Sequence, residues 1–217
     1  MVTSDLVSED DIAKLIIPDD LPDEGPTFKA YIEAKVYDNK GHLIQYHKQP
    51  MRSLTQYFLA LMSIPLIGTY QNASTDSAQG LLVNVLGLPS SISSSTTANI
   101  SWDWSIQLGS GTQTFSLSLT GLAAPILNGT GAGQLSYGSL SVSYVGSTIF
   151  VSLQITNTTS SAISVTEIGL KGTIYIQYSS GSVSTYSFLL SYDTFSTAVS
   201  VPALGMAVFQ ITLSFTG

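Results

Sequence analysis

A stretch of alternating apolar and polar residues in the second half of the chain constrains the fold more than any other feature. Between Gln134 and Leu170, apolar side chains recur at every second position over successive short runs, which turn-like linkers separate. The runs are Leu135–Tyr144, Ile149–Thr156 and Ile163–Leu170. A period of two places the apolar residues of each run on one face of a β-strand. The stretch therefore predicts successive strands of a sheet with one buried face.

Similar strand patterns cover most of the chain after residue 27. A hairpin is predicted over residues 28–49, with its turn at Asp38–Gly41, and a second hairpin joins Ile100–Leu108 to Gln113–Leu119. Further strands are predicted over 173–178, 184–191, 198–201 and 206–215. Turn signals recur roughly every eight to twelve residues, which is the spacing of an all-β sandwich. We therefore predict an all-β fold, an antiparallel β-sandwich with a single jelly roll as its candidate topology.

One helix is predicted in this all-β chain, over about residues 52–64. Leu54, Phe58 and Met62 recur at helical spacing, and Pro65 ends the pattern. Such a helix is expected to cover one end of the sandwich, and a partner-binding helix is the alternative.

Residues 1–26 are predicted to form an acidic N-terminal arm, separate from a β-sandwich domain over residues 27–217. Lys14 is the single base of the arm, and prolines interrupt it. The apolar side chains of the arm are expected to dock on a neighbouring subunit, and a disordered acidic tail is the alternative. Those side chains are Ile12, Leu15, Ile16 and Ile17. No secretory signal follows Met1 and no apolar run is long enough to span a bilayer, so no transmembrane segment is expected.

Charge is distributed unevenly along the chain. The net charge is -7, and only 10% of the residues are charged, where about 25% is typical. From residue 53 onwards the charged residues are Asp76, Asp103, Glu167, Lys171 and Asp193. A surface of hydroxyls and amides does not change its charge in acid, so this pattern suits an acidic environment or dense packing against neighbours. A plain Ser/Thr-rich surface is the alternative. Because Arg52 is the only arginine, direct nucleic-acid binding is not expected.

Residues for catalysis or metal binding are scarce. The only histidines, His42 and His47, lack a paired metal-ligand spacing, no serine lies in a Gly-x-Ser-x-Gly motif, and the chain has no cysteine. We therefore predict no cofactor, no metal and no enzymatic activity. Glu167 and Asp193 are candidates for a glycoside-hydrolysing carboxylate pair, but a structural role, accepting hydrogen bonds from backbone donors at strand ends, is favoured. Gly169 is expected to allow a bulge or a close backbone approach beside Glu167.

Two features of the sequence point to sugars, either as ligands or as modifications. Trp102 and Trp104 share a face of one predicted strand and could stack on sugar rings, although tryptophans so placed are more often part of a core. Several Asn-x-Ser/Thr patterns are candidate glycosylation acceptors. The acceptor residues are Asn72, Asn99, Asn128 and Asn157.

The order of several short motifs resembles that of structural proteins from phages and archaeal viruses. The motifs are Asp38–Gly41, Arg52–Phe58, Gly133–Gly138, Thr156–Ser160, Val165–Leu170, Asp193–Phe195 and Val201–Gly205. The resemblance covers most of residues 28–217, apart from 80–120, and implies a jelly-roll-like component of a virion, in the capsid, a vertex or a spike. Its implied partners are further copies of the chain and other capsid proteins. A carbohydrate-binding or adhesion module and a cell-surface or pilus subunit are the alternatives.

Overall fold

The computed structural model describes residues 27–55, 58, 99–177 and 183–216, and this part of the chain is almost entirely β. The strands are β1 (Thr27–Tyr37), β2 (Leu43–Pro50), β3 (Asn99–Gly109), β4 (Ser136–Val145), β5 (Thr148–Thr156), β6 (Ile163–Gln177), β7 (Val183–Val201) and β8 (Met206–Thr216). They form two antiparallel sheets, consistent with a β-sandwich, so the predicted all-β class is confirmed. The jelly-roll topology stays a prediction. The chain divides into two compact units, which are described in turn.

Of the described residues, the first unit contains 27–50, 127–164 and 199–216, and it is built on a five-stranded sheet in the order β2-β1-β8-β5-β4. β1 pairs with β8 along its whole length, and β5 pairs with the other side of β8. β4 and β5, two of the strands that the alternating stretch predicts, form a hairpin. Both edge strands, β2 and β4, therefore belong to hairpins.

Alternation along these strands separates a buried face from a polar face. On β8, Phe209 and Ile211 are completely buried, whereas Gln210 and Thr212 between and beside them are partly exposed. Burying a large apolar side chain of this kind contributes about 1.5–3 kcal/mol to stability. The buried apolar residues of the sheet are Ala30, Ile32, Ala34, Val36, Val151, Leu153, Ile155, Ala207, Phe209, Ile211 and Leu213.

The turn predicted at residues 38–41 is present and is closed by the Asp38 carboxylate. One oxygen accepts the main-chain N–H groups of Lys40 at 2.8 Å and of His42 at 2.9 Å. These bonds, above all the one from His42, lower the pKa of Asp38. The His47 ring instead contacts Gln49 at 2.8 Å, so the two histidines have separate partners.

Of the described residues, the second unit contains 51–55, 58, 99–126, 165–177 and 183–198, and it carries a three-stranded sheet in the order β3-β6-β7. The prediction of separate strands at 163–170 and 173–178 is wrong, because β6 continues through Gly172. The strand predicted to end near Asp193 is also longer, since β7 runs on to Val201. A Cβ at Gly172 would lie 3.1 Å from Leu190 Cδ1, so this glycine serves close packing inside a strand.

The segment Gln113–Leu119 is not a strand, which corrects the predicted second hairpin. β3 pairs instead with β6 along its whole length. The main-chain N–H of Gln113 donates to the Tyr192 hydroxyl at 2.9 Å, which holds the segment as a loop. Its alternating pattern is misleading because Phe115 and Leu117 remain exposed.

The predicted helix does not begin at residue 52. Residues 53–55 run beside β7, where the N–H of Thr55 donates to the carbonyl of Leu190 at 3.0 Å and the N–H of Tyr192 donates to the carbonyl of Ser53 at 3.1 Å. This pairing satisfies main-chain groups that the first turn of a helix would leave without partners. Residues 56, 57 and 59–64 lie outside the described part of the chain.

Candidate functional site

Glu167 lies in β6 with none of its surface exposed, and a neighbouring loop holds its carboxylate. Oε1 accepts the N–H of Ala124 at 2.8 Å and Oε2 accepts the N–H of Ala123 at 3.1 Å. Burial raises the pKa of Tyr192, and the nearby Glu167 charge adds to this rise. A buried carboxylate needs such donors to offset the loss of water. Glu167 therefore fastens the loop to the sheet.

Asp193 has a similar arrangement in the middle of β7, with 7% of its surface exposed. Oδ2 accepts the N–H of Arg52 at 2.6 Å, and Oδ1 accepts the N–H of Thr194 at 3.2 Å. Burial raises the pKa of Asp193, and the two N–H groups oppose that rise. This carboxylate anchors the chain at residue 52 to β7.

Gly109 makes room for the Glu167 side chain, and Gly169 on β6 makes room for Leu189 and Ser191 of β7. Gly109 lies opposite Glu167 in the pairing of β3 with β6, and a Cβ there would lie 2.6 Å from Glu167 Cγ. A Cβ at Gly169 would lie 2.5 Å from Leu189 Cδ1 and 3.0 Å from the carbonyl oxygen of Ser191. The sequence singles out Gly169, but it carries no local signal for Gly109, which lies at the end of a strand.

Trp102 and Trp104 both lie on β3, as the sequence predicts. Trp104 is partly buried, and alternation places it on the same face as the buried residues Ile106 and Leu108. This placement favours a packing role for Trp104 over stacking on a sugar. The side chain of Trp102 lies outside the described part of the structure.

The candidate glycosylation acceptors differ in exposure. Asn157 is completely buried and donates its amide N–H groups to main-chain carbonyls, so the folded chain does not present this nitrogen for modification. Asn128 is exposed, and its Oδ1 accepts the N–H of Tyr137 at 3.0 Å. Asn72 and the side chain of Asn99 lie outside the described residues. So do the predicted docking residues of the arm, which are Ile12, Leu15, Ile16 and Ile17.

The described surface carries very little charge over the larger part of the chain. Between residues 99 and 216 the charged residues are Asp103, Glu167, Lys171 and Asp193. Burial of Glu167 and Asp193 leaves Asp103 and Lys171 as the charged groups of this range at the surface. The Tyr175 hydroxyl is hydrogen-bonded to Asp103, which raises the pKa of Tyr175.

The five-stranded sheet has two edges of opposite character. β2 ends at Pro50 and carries Lys48, whose ammonium group lies 2.8 Å from the Glu33 carboxylate. Charge and proline on an edge strand hinder its pairing with a strand of another chain. β4 has no charged residue and no proline, and Val142 and Tyr144 on it are 38% and 71% exposed. In the part of the chain that the structure describes, the edge of β4 thus carries neither charge nor proline, and a bulge between Tyr137 and Leu140 interrupts its register with β5.

No family model, no curated protein and no solved structure matches this chain. The resemblance to virus structural proteins therefore stays a prediction.

The described residues contain no cluster of three or more His, Cys, Asp or Glu side chains that could hold a metal ion. Within the same residues, no helix has the length and hydropathy that crossing a membrane requires.

Proposed function

We propose that this chain is a structural protein of a virus particle, as a capsid, vertex or spike component, and that it acts by self-assembly and subunit packing. The observation that carries the proposal is the scarcity of charge on the described surface between residues 99 and 216, where Asp103 and Lys171 remain. Surface charge normally keeps proteins soluble and separate. A surface almost without charge is suited to being covered by neighbouring subunits.

Exposed apolar side chains on both units support the same function. The cores of protein interfaces are depleted of charged residues and contain large apolar ones. Among the described residues, the exposed large apolar ones are Phe28, Ile44, Phe115, Leu117, Leu127, Val142, Tyr144, Val145, Val183 and Leu204. Scattered single residues of this kind are common on any protein, but between residues 99 and 216 charged residues rarely separate them. Contacts made through hydroxyl, amide and apolar groups would also be insensitive to acid, since none of these groups titrates near pH 4.

The partners under this proposal are further copies of the chain and other capsid proteins, and the location is the virion. The ordered motifs that resemble virus structural proteins support this assignment, and the two buried carboxylates, which bind main-chain N–H groups, need no catalytic explanation. No cofactor is proposed.

Electron microscopy of the purified full-length chain tests the proposal. We expect regular particles or rings of uniform subunit arrangement, both at neutral pH and in acid. A chain that forms no regular assembly but binds a sugar on a glycan array, with binding lost in Trp102→Ala and Trp104→Ala, would instead establish the carbohydrate-binding alternative.

A further inference from the structure

β4 is the uncharged edge of the five-stranded sheet, and a loop already covers the beginning of this edge. The N–H of Leu135 donates to the carbonyl of Leu127 at 3.2 Å, and the N–H of Tyr137 donates to the Asn128 side chain at 3.0 Å. From residue 138 to 145, no described residue is hydrogen-bonded to the outer side of β4. The open edge is therefore about as long as an ordinary strand.

The register with β5 shows which main-chain groups face the open edge. In an antiparallel pair, residues alternate between turning N–H and C=O toward the neighbouring strand and turning them away. Tyr137, opposite Ile155, turns its N–H away from β5. After the bulge that lies between Tyr137 and Leu140, Leu140 lies opposite Leu153 and so has the same orientation as Tyr137. The residues that present N–H and C=O to the open edge are thus Leu140, Val142 and Tyr144.

We infer that this edge pairs antiparallel with the same edge of a second copy, about a twofold axis at Val142, so that two sheets join into one. The inference rests on the proposed function and names the contact from which assembly begins. In this register Val142 faces its counterpart and Leu140 faces Tyr144, so each exchanges both main-chain hydrogen bonds with the residue opposite. An axis at Ser141 would instead place Tyr144 opposite Gly138, at the bulge.

The side chains of the paired edges also match. On one face, Leu140 lies beside Tyr144 of the second copy, and Val142 lies beside its counterpart. This face continues the buried face of β5, so pairing extends the apolar surface of both sheets. On the opposite face, Ser141 lies beside Ser143 of the second copy. Apolar groups meet apolar groups, hydroxyls meet hydroxyls, and no charge loses its water.

A second copy fits this edge better than the other candidate occupants do. A charged peptide would find no ion pair on β4, which has no charged residue. The arm of the same chain would bring Lys14, in the middle of its apolar segment 12–17, to an edge that offers no opposite charge. A symmetric pair satisfies both open edges at once, which is the closed arrangement that most oligomers adopt.

The absence of cysteine from the chain permits a direct test by cross-linking. In Val142→Cys the two thiols lie opposite each other across the axis, at a Cα separation that a disulfide can span. Under mild oxidation with copper phenanthroline, we expect a disulfide-linked dimer of the full-length chain. The matched control is Ile44→Cys, an exposed apolar position on the opposite edge strand, for which no dimer is expected. Equal cross-linking of the two variants would overturn the inference.

Val142→Lys tests the same contact without a cross-link. The twofold axis places the two introduced ammonium groups opposite each other, so the dissociation constant of the dimer should rise at least about tenfold. Sedimentation equilibrium measures this change, and Ile44→Lys should leave the constant unaltered. Val142→Pro removes an N–H that points away from β5, so the subunit should fold while the dimer is lost. Circular dichroism of each variant establishes that the subunit is folded.

The outcomes separate this inference from the proposed function. Wild-type assembly together with equal assembly of Val142→Lys would show that the edge inference is wrong while the proposed function stands. Loss of the dimer in Ile16→Lys but not in Val142→Lys would assign the contact to the arm and also contradict the inference. A wild-type chain that never self-associates would contradict the inference and the proposed function together.

Discussion

The carboxylate of Glu167 accepts the main-chain N–H of Ala124 at 2.8 Å, although the two residues lie 43 positions apart in the sequence. The second carboxylate oxygen accepts the N–H of Ala123 at 3.1 Å. A loop without regular structure is thus fixed to β6 by one buried side chain. Loss of that side chain should therefore loosen the loop as well as lower the stability of the second unit.

Glu167→Gln should destabilise the fold by about 1–3 kcal/mol, the cost of leaving buried donors without a good acceptor. The amide can replace only one of the two carboxylate oxygens as an acceptor, and its NH₂ group would face a main-chain N–H. Urea unfolding followed by fluorescence measures the change. Asp103→Asn, at an exposed position on β3, is the matched control and should alter stability by less than about 0.5 kcal/mol.

Gly169→Ala should destabilise the chain by about 1–3 kcal/mol through overpacking. The new methyl group would lie 2.5 Å from Leu189 Cδ1 and 3.0 Å from a main-chain oxygen, and the latter cannot move without disturbing β7. Gly121→Ala is the control, because a Cβ there would have no neighbour within 4 Å. Thermal unfolding should show a clearly lower Tm for the first variant alone, and equal values would contradict the packing described for β6.

Asn157→Ala should lower the free energy of unfolding by at least about 2 kcal/mol, because several buried polar groups lose their partners together. The amide nitrogen donates to the carbonyls of Ser161 at 2.8 Å and of Val201 at 3.0 Å, and Oδ1 accepts the hydroxyl of Thr159 at 2.7 Å. Thr158→Ala, at the adjacent exposed position, serves as the control in the same chemical unfolding experiment. Similar stability of both variants would show that this network is not needed.

Alternation of apolar and polar residues suffices to predict β4, β5 and β8, and in β5 and β8 it corresponds to one buried face. It fails at Asp193, which sequence reasoning places at a strand end. That carboxylate is satisfied inside β7 by the N–H of Arg52, a residue 141 positions away. The residue pattern around Asp193 cannot indicate a hydrogen-bond partner so far away in the sequence.

For the candidate site, too, features that depend on composition can be predicted from the sequence, whereas contacts between distant segments cannot. The lack of charge on the surface follows directly from composition, and so does the uncharged sequence of β4. The hydrogen bond between Asn128 and Tyr137 determines which end of β4 is covered. The pairing of β1 with β8 determines which strands lie at the edges of the sheet. These contacts join segments that are far apart in the chain, so they cannot be predicted from the periodicity of apolar residues.

Stability should depend on pH through Asp193, because burial raises the pKa of this carboxyl above its ordinary value of 3.8. A raised pKa means that the folded chain binds the proton more tightly than the unfolded chain does. The free energy of unfolding should therefore fall as the pH rises from 3.8 through the raised pKa, and become level above it. Asp193→Asn removes this part of the dependence, which unfolding curves over that range would show.

The lowered pKa of Asp38 acts in the opposite direction, since stability is lost as the pH falls through it. Asp38 is present in both the wild type and Asp193→Asn, so its contribution cancels in the difference between the two curves. A difference that stays constant from acid to neutral pH would contradict the role assigned to the burial of Asp193.

Sedimentation velocity of the full-length wild-type chain over a wide range of concentration decides whether this protein is an assembly subunit. Self-assembly predicts discrete species heavier than the 23.0 kDa chain, whose share increases with concentration and persists when the pH is lowered. A single species with the mass of one chain at every concentration, at neutral pH and in acid, would contradict the proposed function.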